Sequence, residues 1–312
     1  MLKYVLKRLG YILVTLWVIV TCTFFMMKNL PGTPFDAERF SIMTPQQQER
    51  VLEMYGLNDS LPMQYVKYIK NMLKGDLGTS FTYVNQDVSK VITGRLGPSA
   101  LIGIQAVLIG LAIGLILGIL AAWKHNSGID YFTMILAVLG VSVPNFVAAA
   151  LLQYYIGLKW GALPVGFWTG WNCSVLPSIA LSFSATAMVA RFMRTEMLDV
   201  LDQDYIVTAR AKGLSQMKVL MRHAVRNSIL PVVTILGPIV VNLMTGSLAV
   251  ENIFSIPGIG SLFVDCIKVN DYPVIMGITI FYAAFYMLIV LLVDLAYSLI
   301  DPRIRLAKGK ES

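Results

Sequence analysis

Charge is what this chain of 312 residues has least of: Asp, Glu, Lys and Arg together make up 14% of it, against 56% hydrophobic residues. Mean hydropathy is +0.68, well above that of a soluble globular domain. Histidine is almost missing. With only His125 and His223, an H-E-x-x-H zinc motif cannot be written, and no His/Cys cluster suggests a metal site. No G-x-x-x-x-G-K-[ST] occurs, so the chain has no P-loop of its own for ATP. The three cysteines, Cys22, Cys173 and Cys266, do not make a disulfide framework. Spacing alone leaves both a Cys173–Cys266 bridge and unpaired thiols open. The alternating segments of about 10 residues that build a membrane β-barrel are absent as well.

Long uncharged runs are present instead. A bilayer core of roughly 30 Å needs about 20 apolar residues in a helix. Runs without Asp, Glu, Lys or Arg occupy Leu9–Met27, Gly97–Trp123, Tyr131–Leu158, Ser228–Val250 and Tyr272–Val293, and a further span is expected at Cys173–Ala190. The expected fold class is therefore an all-α polytopic membrane protein with six transmembrane helices. Lys3, Lys7 and Arg8 before the first run resemble a signal peptide, but no A-x-A site follows and the run ends in Met26-Met27-Lys28, so an uncleaved first span is expected. Proton-driven carriers place ionisable groups inside their spans. Here only Asp294 qualifies, about two turns from the cytoplasmic end and near Arg303 and Arg305, and a structural partner is expected for it rather than a proton relay. A channel would need an ionic ring or a filter sequence, and neither is visible.

Lys and Arg set the orientation. With both termini cytoplasmic, the inner segments hold 15 Lys and Arg against 2 in the short outer loops. The long outer region 28–96 is discounted, because long loops translocate largely regardless of charge. The net charge of +7 thus reads as a topology signal, and no nucleic-acid partner is expected.

Region 28–96 is expected to be a small helical insertion on the outer face, with an amphipathic segment lying on lipid as the alternative. In "TPQQQERVLEMYG" Thr44 is a helix cap, Pro45 suits the first turn, Gln47 completes a capping box and Gly56 ends the helix. "PMQYVKYIKNMLKG" puts Tyr65, Tyr68, Ile69, Met72 and Leu73 on one face and Lys67, Lys70 and Lys74 on the other, with Gly75 as the stop. The second span carries small residues at strict i,i+4 spacing, Ala106, Gly110, Gly114, Gly118 and Ala122, which makes a packing seam against a helix of this chain or of a partner. In "SVPNF" Pro144 is expected to kink the third span, and Asn145 either lines a pathway or satisfies the backbone that the proline opens. Trp160, Trp168 and Trp171 read as interface anchors. Pro257, Gly258 and Gly260 interrupt the chain between the last two spans.

Between spans four and five lies the longest inner segment, 191–227. "DYIVTARAKG" reads as a helix ending in Arg210 and Lys212, stopped by Gly213. Ser215 can cap a second helix with Leu214, Met217, Met221 and Val225 along one stripe. Such a mixed apolar and basic surface suits either anionic lipid or a cytoplasmic protein.

"YIVTARAKGL" followed by "RHAVRNSILP" resembles the cytoplasmic coupling motif of binding-protein-dependent ABC import permeases, in the form found in the peptide and nickel branch. The broad motif reads E-A-A-x-x-x-G. Here the glycine is Gly213 and the second alanine Ala209, while Val207 and Thr208 stand at the acidic and first alanine positions. "PGTPF", "GLNDSLPMQYVKYIKNMLKGDLGTSF", "VENIFSIPGIGSLF" and "YSLIDPRIR" extend the likeness along the chain. The resemblance implies a type I ABC importer permease fold in a bacterial plasma membrane, forming one permease domain over 1–312. It implies a second, similar permease, two cytoplasmic ATPases that bind the ATP and Mg, and an external binding protein, with no cofactor and no catalysis in this chain. It assigns Thr208, Ala209, Arg210, Ala211, Lys212, Gly213 and Leu214 to the ATPase contact. Pro144, Asn145, Pro257, Gly258 and Gly260 become candidate pathway or gate residues, the last three in a short re-entrant structure or an ordinary turn. Oligopeptides or dipeptides are the expected cargo, with nickel chelates and haem as alternatives in the same branch.

Overall fold

The computed structural model describes residues 2–29, 40, 42–54, 56–83 and 85–300. In chain order its helices are α1 (Leu2–Lys28), α2 (Pro45–Met54), α3 (Leu61–Met72), α4 (Val88–Trp123), α5 (Gly128–Ser142), α6 (Asn145–Leu152), α7 (Val175–Leu201), α8 (Asp204–Ala211), α9 (Gln216–Val219), α10 (Arg226–Met244), α11 (Leu248–Ile253), α12 (Ile259–Lys268) and α13 (Tyr272–Ile300). Wide-turn π-helical stretches continue α6 through Gln153–Lys159 and join α9 to α10 through Leu220–Val225. The β-structure among the described residues is one isolated bridge, Thr79 to Asp87.

Five stretches are long and apolar enough to cross a membrane; a sixth crossing arises when α5 and α6 with its extension are counted as one broken span. These are the six spans expected, but their helices outrun the uncharged runs. Helix α7 continues to Leu201, eleven residues past Ala190, and α4 begins at Val88, nine before Gly97. Charge marks where a chain leaves the apolar layer, not where its helix stops. The inner segment expected at 191–227 is accordingly helical at both ends.

The third span departs furthest from expectation. Instead of a kink at Pro144 there is a 100° bend. The ring of Pro144 disfavours helical backbone at the residue before it. Val143 is therefore extended (φ −82°, ψ 117°), α5 stops at Ser142, and Pro144 becomes the first cap of α6.

The chain forms two compact units. The first comprises Met1–Gly97 with Gly258–Phe285. Its core joins Val88, Val91 and Ile92 of α4 to Ile259, Leu262 and Cys266 of α12 and Val274, Ile275 and Ile278 of α13. The expected capping box is present: Gln47 N–H donates to Thr44 Oγ1 at 3.4 Å, and Thr44 N–H donates to Gln47 Oε1 at 2.9 Å. Gly56 and Gly75 follow α2 and α3 with φ of +65° and +83°. Helix α3 packs on α1. Tyr65 stacks on Phe25 at 5.7 Å, meets Phe24 edge-on at 5.4 Å, and shares a 2.7 Å hydroxyl hydrogen bond with Thr21. Leu73, expected on the apolar face, is instead 78% exposed. The hydroxyl of Tyr68 is buried without a partner among the described residues, and burial pushes its pKa above the ordinary tyrosine range. Asp271 fixes the loop before α4: it is fully buried and accepts the Ser80 hydroxyl and the N–H groups of Phe81 and Thr82.

The second unit comprises Pro98–Pro257 with Tyr286–Ser312. Helix α7 is its centre, with Leu176, Ala180, Ala185, Val189, Met193 and Met197 buried. The glycine seam of α4 closes on α7 of the same chain. A Cβ on Gly110 would lie 2.7 Å from that of Ala185, one on Gly114 2.7 Å from that of Val189, and one on Gly118 2.6 Å from the Ala190 carbonyl. Two turns earlier Gly103 meets the Leu243 carbonyl of α10 in the same way, at 2.6 Å. Small residues let these backbones approach into direct van der Waals contact, where lipid offers no hydrophobic drive to hold helices together.

Candidate functional site

The segment from Asp202 to Val225 belongs to the second unit, and its shape follows from local sequence. Gln203 precedes α8 in extended conformation, and Asp204 sits in the first turn where a carboxylate favours the helix dipole. Lys212 is the last capping residue and Gly213 takes φ +78°. Gly213 N–H then donates to Arg210 O at 2.9 Å and Leu214 N–H to Ala209 O at 3.4 Å. This pair of bonds is the Schellman closure, and it needs a left-handed residue where glycine stands. Ser215 holds the cap position of α9, but its side chain makes no capping bond.

The expected second helix is not a separate piece. From Gln216 the backbone runs through the π-helical stretch into α10, so it is the beginning of a span. The stripe of Leu214, Met217, Met221 and Val225 is divided, its two methionines lying on the surface and Leu214 and Val225 half-buried. Val219, Leu220 and Ala224 are the buried positions, while Met217 and Met221 are 51% and 53% exposed. Leu214 is half-buried, packed with Ile206, Ala209 and Val219 into a small core under the turn.

That core divides the segment into an anchor and an open face. Ile206 and Ala209 hold α8 down against Val200 and Leu201 at the end of α7. Tyr205, Val207, Thr208, Arg210, Ala211, Lys212 and Gly213 are exposed, as are Met217, Lys218, Met221 and Arg222. Among the described residues, Arg210, Lys212, Lys218 and Arg222 form no ion pair. The result is an exposed face that mixes apolar side chains with positive charges unpaired among the described residues. Arg210 and Lys212 stand at the C-terminal end of α8, where the helix dipole favours cations.

The other candidates lie elsewhere. Asn145 opens α6 half-buried, and no side-chain capping bond is made there; Val147 and Ala148 N–H groups turn to the Pro144 carbonyl. The "VENIFSIPGIG" stretch is more than a plain turn. It contains α11, Ser255 at φ +51°, and Gly258 capping α12. In the second unit α11 is locked in place: Val250 and Phe254 are buried, Gln153 donates to the Ile253 carbonyl at 2.7 Å, and Phe167 N–H donates to Phe254 O at 2.8 Å. Cys22, Cys173 and Cys266 are all free thiols. The "PGTPF" residues, the side chain of Asp294 and residues 301–312 lie outside the described residues.

Several polar groups were not foreseen as buried. Glu251 is 2% exposed and accepts the Ser99 hydroxyl at 2.8 Å. Asp130, also 2% exposed, is held by Arg194. Uncharged runs, used to delimit spans, placed both acids in loops.

Two family models match. One, described as the binding-protein-dependent transport system inner membrane component, covers residues 114–306. The other, for the N-terminal part of such membrane components, covers residues 1–96. The chain is 46% identical over 306 residues to the dipeptide transport system permease protein DppB of Lactococcus lactis, covering 98% of this chain and 100% of the relative. It is 43% identical to DppB of Bacillus subtilis, covering 99% of each chain, and 39% identical to the oligopeptide transport system permease protein OppB of Haemophilus influenzae, covering 98% and 100%. Among solved structures, an amino acid ABC transporter crystallised with histidines aligns with TM-score 0.51 at 19% identity, over 69% of this chain and 94% of that one. The MetNI methionine ABC transporter in an inward-facing conformation aligns with TM-score 0.54 at 15% identity, over 68% and 96%. Those two likenesses establish the fold as that of the type I ABC importer permeases. On the family matches and relatives together, the chain belongs to the inner membrane components of binding-protein-dependent transport systems.

Proposed function

We propose that this chain is one membrane-spanning subunit of an ABC importer for dipeptides or oligopeptides. It forms the translocation pathway with a second, similar permease as a heterodimer. Two cytoplasmic ATPases bind and hydrolyse the ATP, and an external binding protein delivers the peptide; the chain itself is not an enzyme and needs no cofactor of its own. The observation that carries the reading is the open face of α8. A short helix closed at Gly213, anchored on α7 by Ile206 and Ala209 and presenting unpaired Arg210 and Lys212, suits a rigid joint set into a groove of another protein. Anionic lipid could neutralise those charges, but it would not require a closed turn with its own core. The names of the relatives favour peptides over nickel chelates and haem. Pro144 and Asn145 at the 100° break, and Pro257, Gly258 and Gly260 around the start of α12, are the positions proposed to line or gate the pathway.

The test is purification of the chain from its native membrane with a mild detergent. Stoichiometric recovery of a second permease and two ATPases, with ATP hydrolysis stimulated by peptide-loaded binding protein, is the expected result. A chain that purifies alone, or whose associated ATPase ignores peptide, overturns the proposal.

A further inference from the structure

Asp130 stands in the first turn of α5 with its side chain 3% exposed. Arg194, seven residues before the end of α7, grips it with two prongs: Nε donates to Oδ1 at 2.6 Å and Nη2 to Oδ2 at 2.8 Å. Asn126 N–H adds a bond to Oδ2 at 3.0 Å, made possible by its own left-handed backbone at φ +59°. His125 Nδ1 closes the cluster, 3.1 Å from Oδ2 and 3.2 Å from Arg194 Nη2. Every lone pair direction that the carboxylate turns inward is thus met. A forked guanidinium–carboxylate pair fixes orientation as well as distance.

Further along, α5 and α7 touch again without polar groups. A Cβ on Gly140 would lie 2.9 Å from the Phe183 carbonyl and 3.0 Å from the Ala187 Cβ. The two helices are therefore pinned twice, by charge at one end and by close approach at the other. Between Arg194 and the coupling turn there is no slack. Helix α7 runs unbroken to Leu201, Asp202 N–H returns to Leu198 O, and Ile206 of α8 is buried against Val200 and Leu201.

We infer that Asp130 and Arg194 are positioning residues for transport: they clamp α5 to α7 so that displacement of α8 is carried into the broken third span. The inference rests on the reading of α8 as the ATPase joint. Coupling through a protein needs a contiguous, stiff path with discrete arrangements. The path here runs from Gly213 through α8, the Ile206 anchor and α7 to the Arg194 fork, and from there along α5 to the break at Pro144. Without the fork, α5 and α7 would keep their apolar packing, with Gly140 against Phe183 and Ala187, but would lose the pair that fixes their relative orientation at the Asp130 end.

Deleting one partner would strand a buried charge and risk unfolding. The test therefore uses the neutral pair Asp130→Asn with Arg194→Gln in the whole reconstituted importer, beside Arg194→Lys and Gly213→Val. Assembly, basal ATP hydrolysis and peptide taken up per ATP hydrolysed are measured together. The neutral pair is expected to assemble and hydrolyse ATP while uptake per ATP falls roughly tenfold, within the usual range of a coupling free energy. Arg194→Lys, which keeps the charge and loses the fork, is expected to fall between it and the wild type. Wild-type uptake per ATP in the neutral pair overturns the inference, and so does its failure to assemble, since the pair would then only hold the fold. If Gly213→Val uncouples and the neutral pair does not, the clamp alone is wrong. If neither uncouples, the joint reading falls and the clamp with it.

Discussion

Ser80 donates its hydroxyl to Asp271, 191 positions later in the chain, and the acceptor is fully buried. Asp271 also takes the N–H groups of Phe81 and Thr82, at 3.2 and 3.1 Å, and its own carbonyl accepts from Ile275 at the start of α13. One residue thus holds a loop with its side chain and starts a helix with its backbone carbonyl. Asp271→Ala leaves the buried Ser80 hydroxyl without this acceptor and removes it from the half-buried Phe81 N–H, which costs on the order of 1–3 kcal/mol for each well-buried group. Ser80→Ala removes one donor to Asp271 and the acceptor of the Thr82 and Tyr83 N–H groups, but leaves the carboxylate its two backbone donors, and should cost less. Thermal unfolding in detergent should show Asp271→Ala well below wild type and Ser80→Ala between them. Equal midpoints for all three proteins would mean that the cluster contributes nothing.

The seam between α4 and α7 makes a sharper prediction, because backbone cannot step aside. A Cβ on Gly118 would lie 2.6 Å from the Ala190 carbonyl, so even Gly118→Ala must push the helices apart. Overpacking of this kind costs about 1–3 kcal/mol. Gly94, on the same helix, has nothing within 4 Å of such a Cβ. Gly94→Ala should be neutral or slightly stabilising, since Ala is the better helix former by about 1 kcal/mol. Detergent stability of the two variants, measured side by side, tests the seam; if both behave alike, close backbone contact is not what orders α4.

Cys266 is 2% exposed, and burial together with Asp271 and Asp265 raises its thiol pKa to about 12. The thiolate is the reactive form. Raising the pKa by about 3 units from the ordinary 9.0 lowers the thiolate fraction at pH 8 roughly a thousandfold. A variant keeping only Cys266 should resist maleimide at pH 8 while folded and react once denatured. Rapid labelling of the folded protein would show that α12 opens far more readily than its burial implies.

Topology follows from the Lys and Arg bias of 15 to 2. In a cysteine-free background, Gln47→Cys should react with an impermeant maleimide added to intact cells from which any outer membrane barrier has been removed. Ser215→Cys should react only after the membrane is opened. Labelling of Ser215→Cys in sealed cells would invert the orientation and remove α8 from the reach of any cytoplasmic ATPase.

The sequence made the spans and the first helices of the insertion legible for simple reasons. Uncharged length reports membrane burial directly, and caps such as Thr44 and Gln47 act within four residues. The turn at Gly213 was legible for the same reason. What remained hidden depended on distant partners. Nothing near Asp130 in the chain announces Arg194, and Asp271 gives no sign of Ser80. The apolar stripe from Leu214 to Val225 was legible as a face, but periodicity does not tell that Val219, Leu220 and Ala224 are the covered positions, nor that Leu220–Val225 winds as a wide turn into α10. Pro144 showed where the third span is disturbed, while the size of the bend came from the backbone of Val143.

The joint itself is best tested at Gly213, where space and backbone make opposite demands. Nothing lies within 4 Å of a Cβ placed there, so a side chain has room. The obstacle is φ of +78°, which a β-branched residue resists most and asparagine tolerates. The chain already uses asparagine this way at Asn85, Asn126 and Asn270, with φ of 59°, 59° and 56°. Gly213→Asn should therefore keep the Schellman closure and transport near wild-type levels. Gly213→Val should cost about 1–3 kcal/mol locally, which is enough to open the turn and swing α8 off its anchor at Ile206. The spans are built elsewhere, so both variants should reach the membrane in normal amounts. The expected difference is in peptide-stimulated ATP hydrolysis by the reconstituted complex, retained with asparagine and lost with valine. If valine serves as well as glycine, the backbone at this turn carries no force, and the positive charge of the segment has only topology and lipid to explain it.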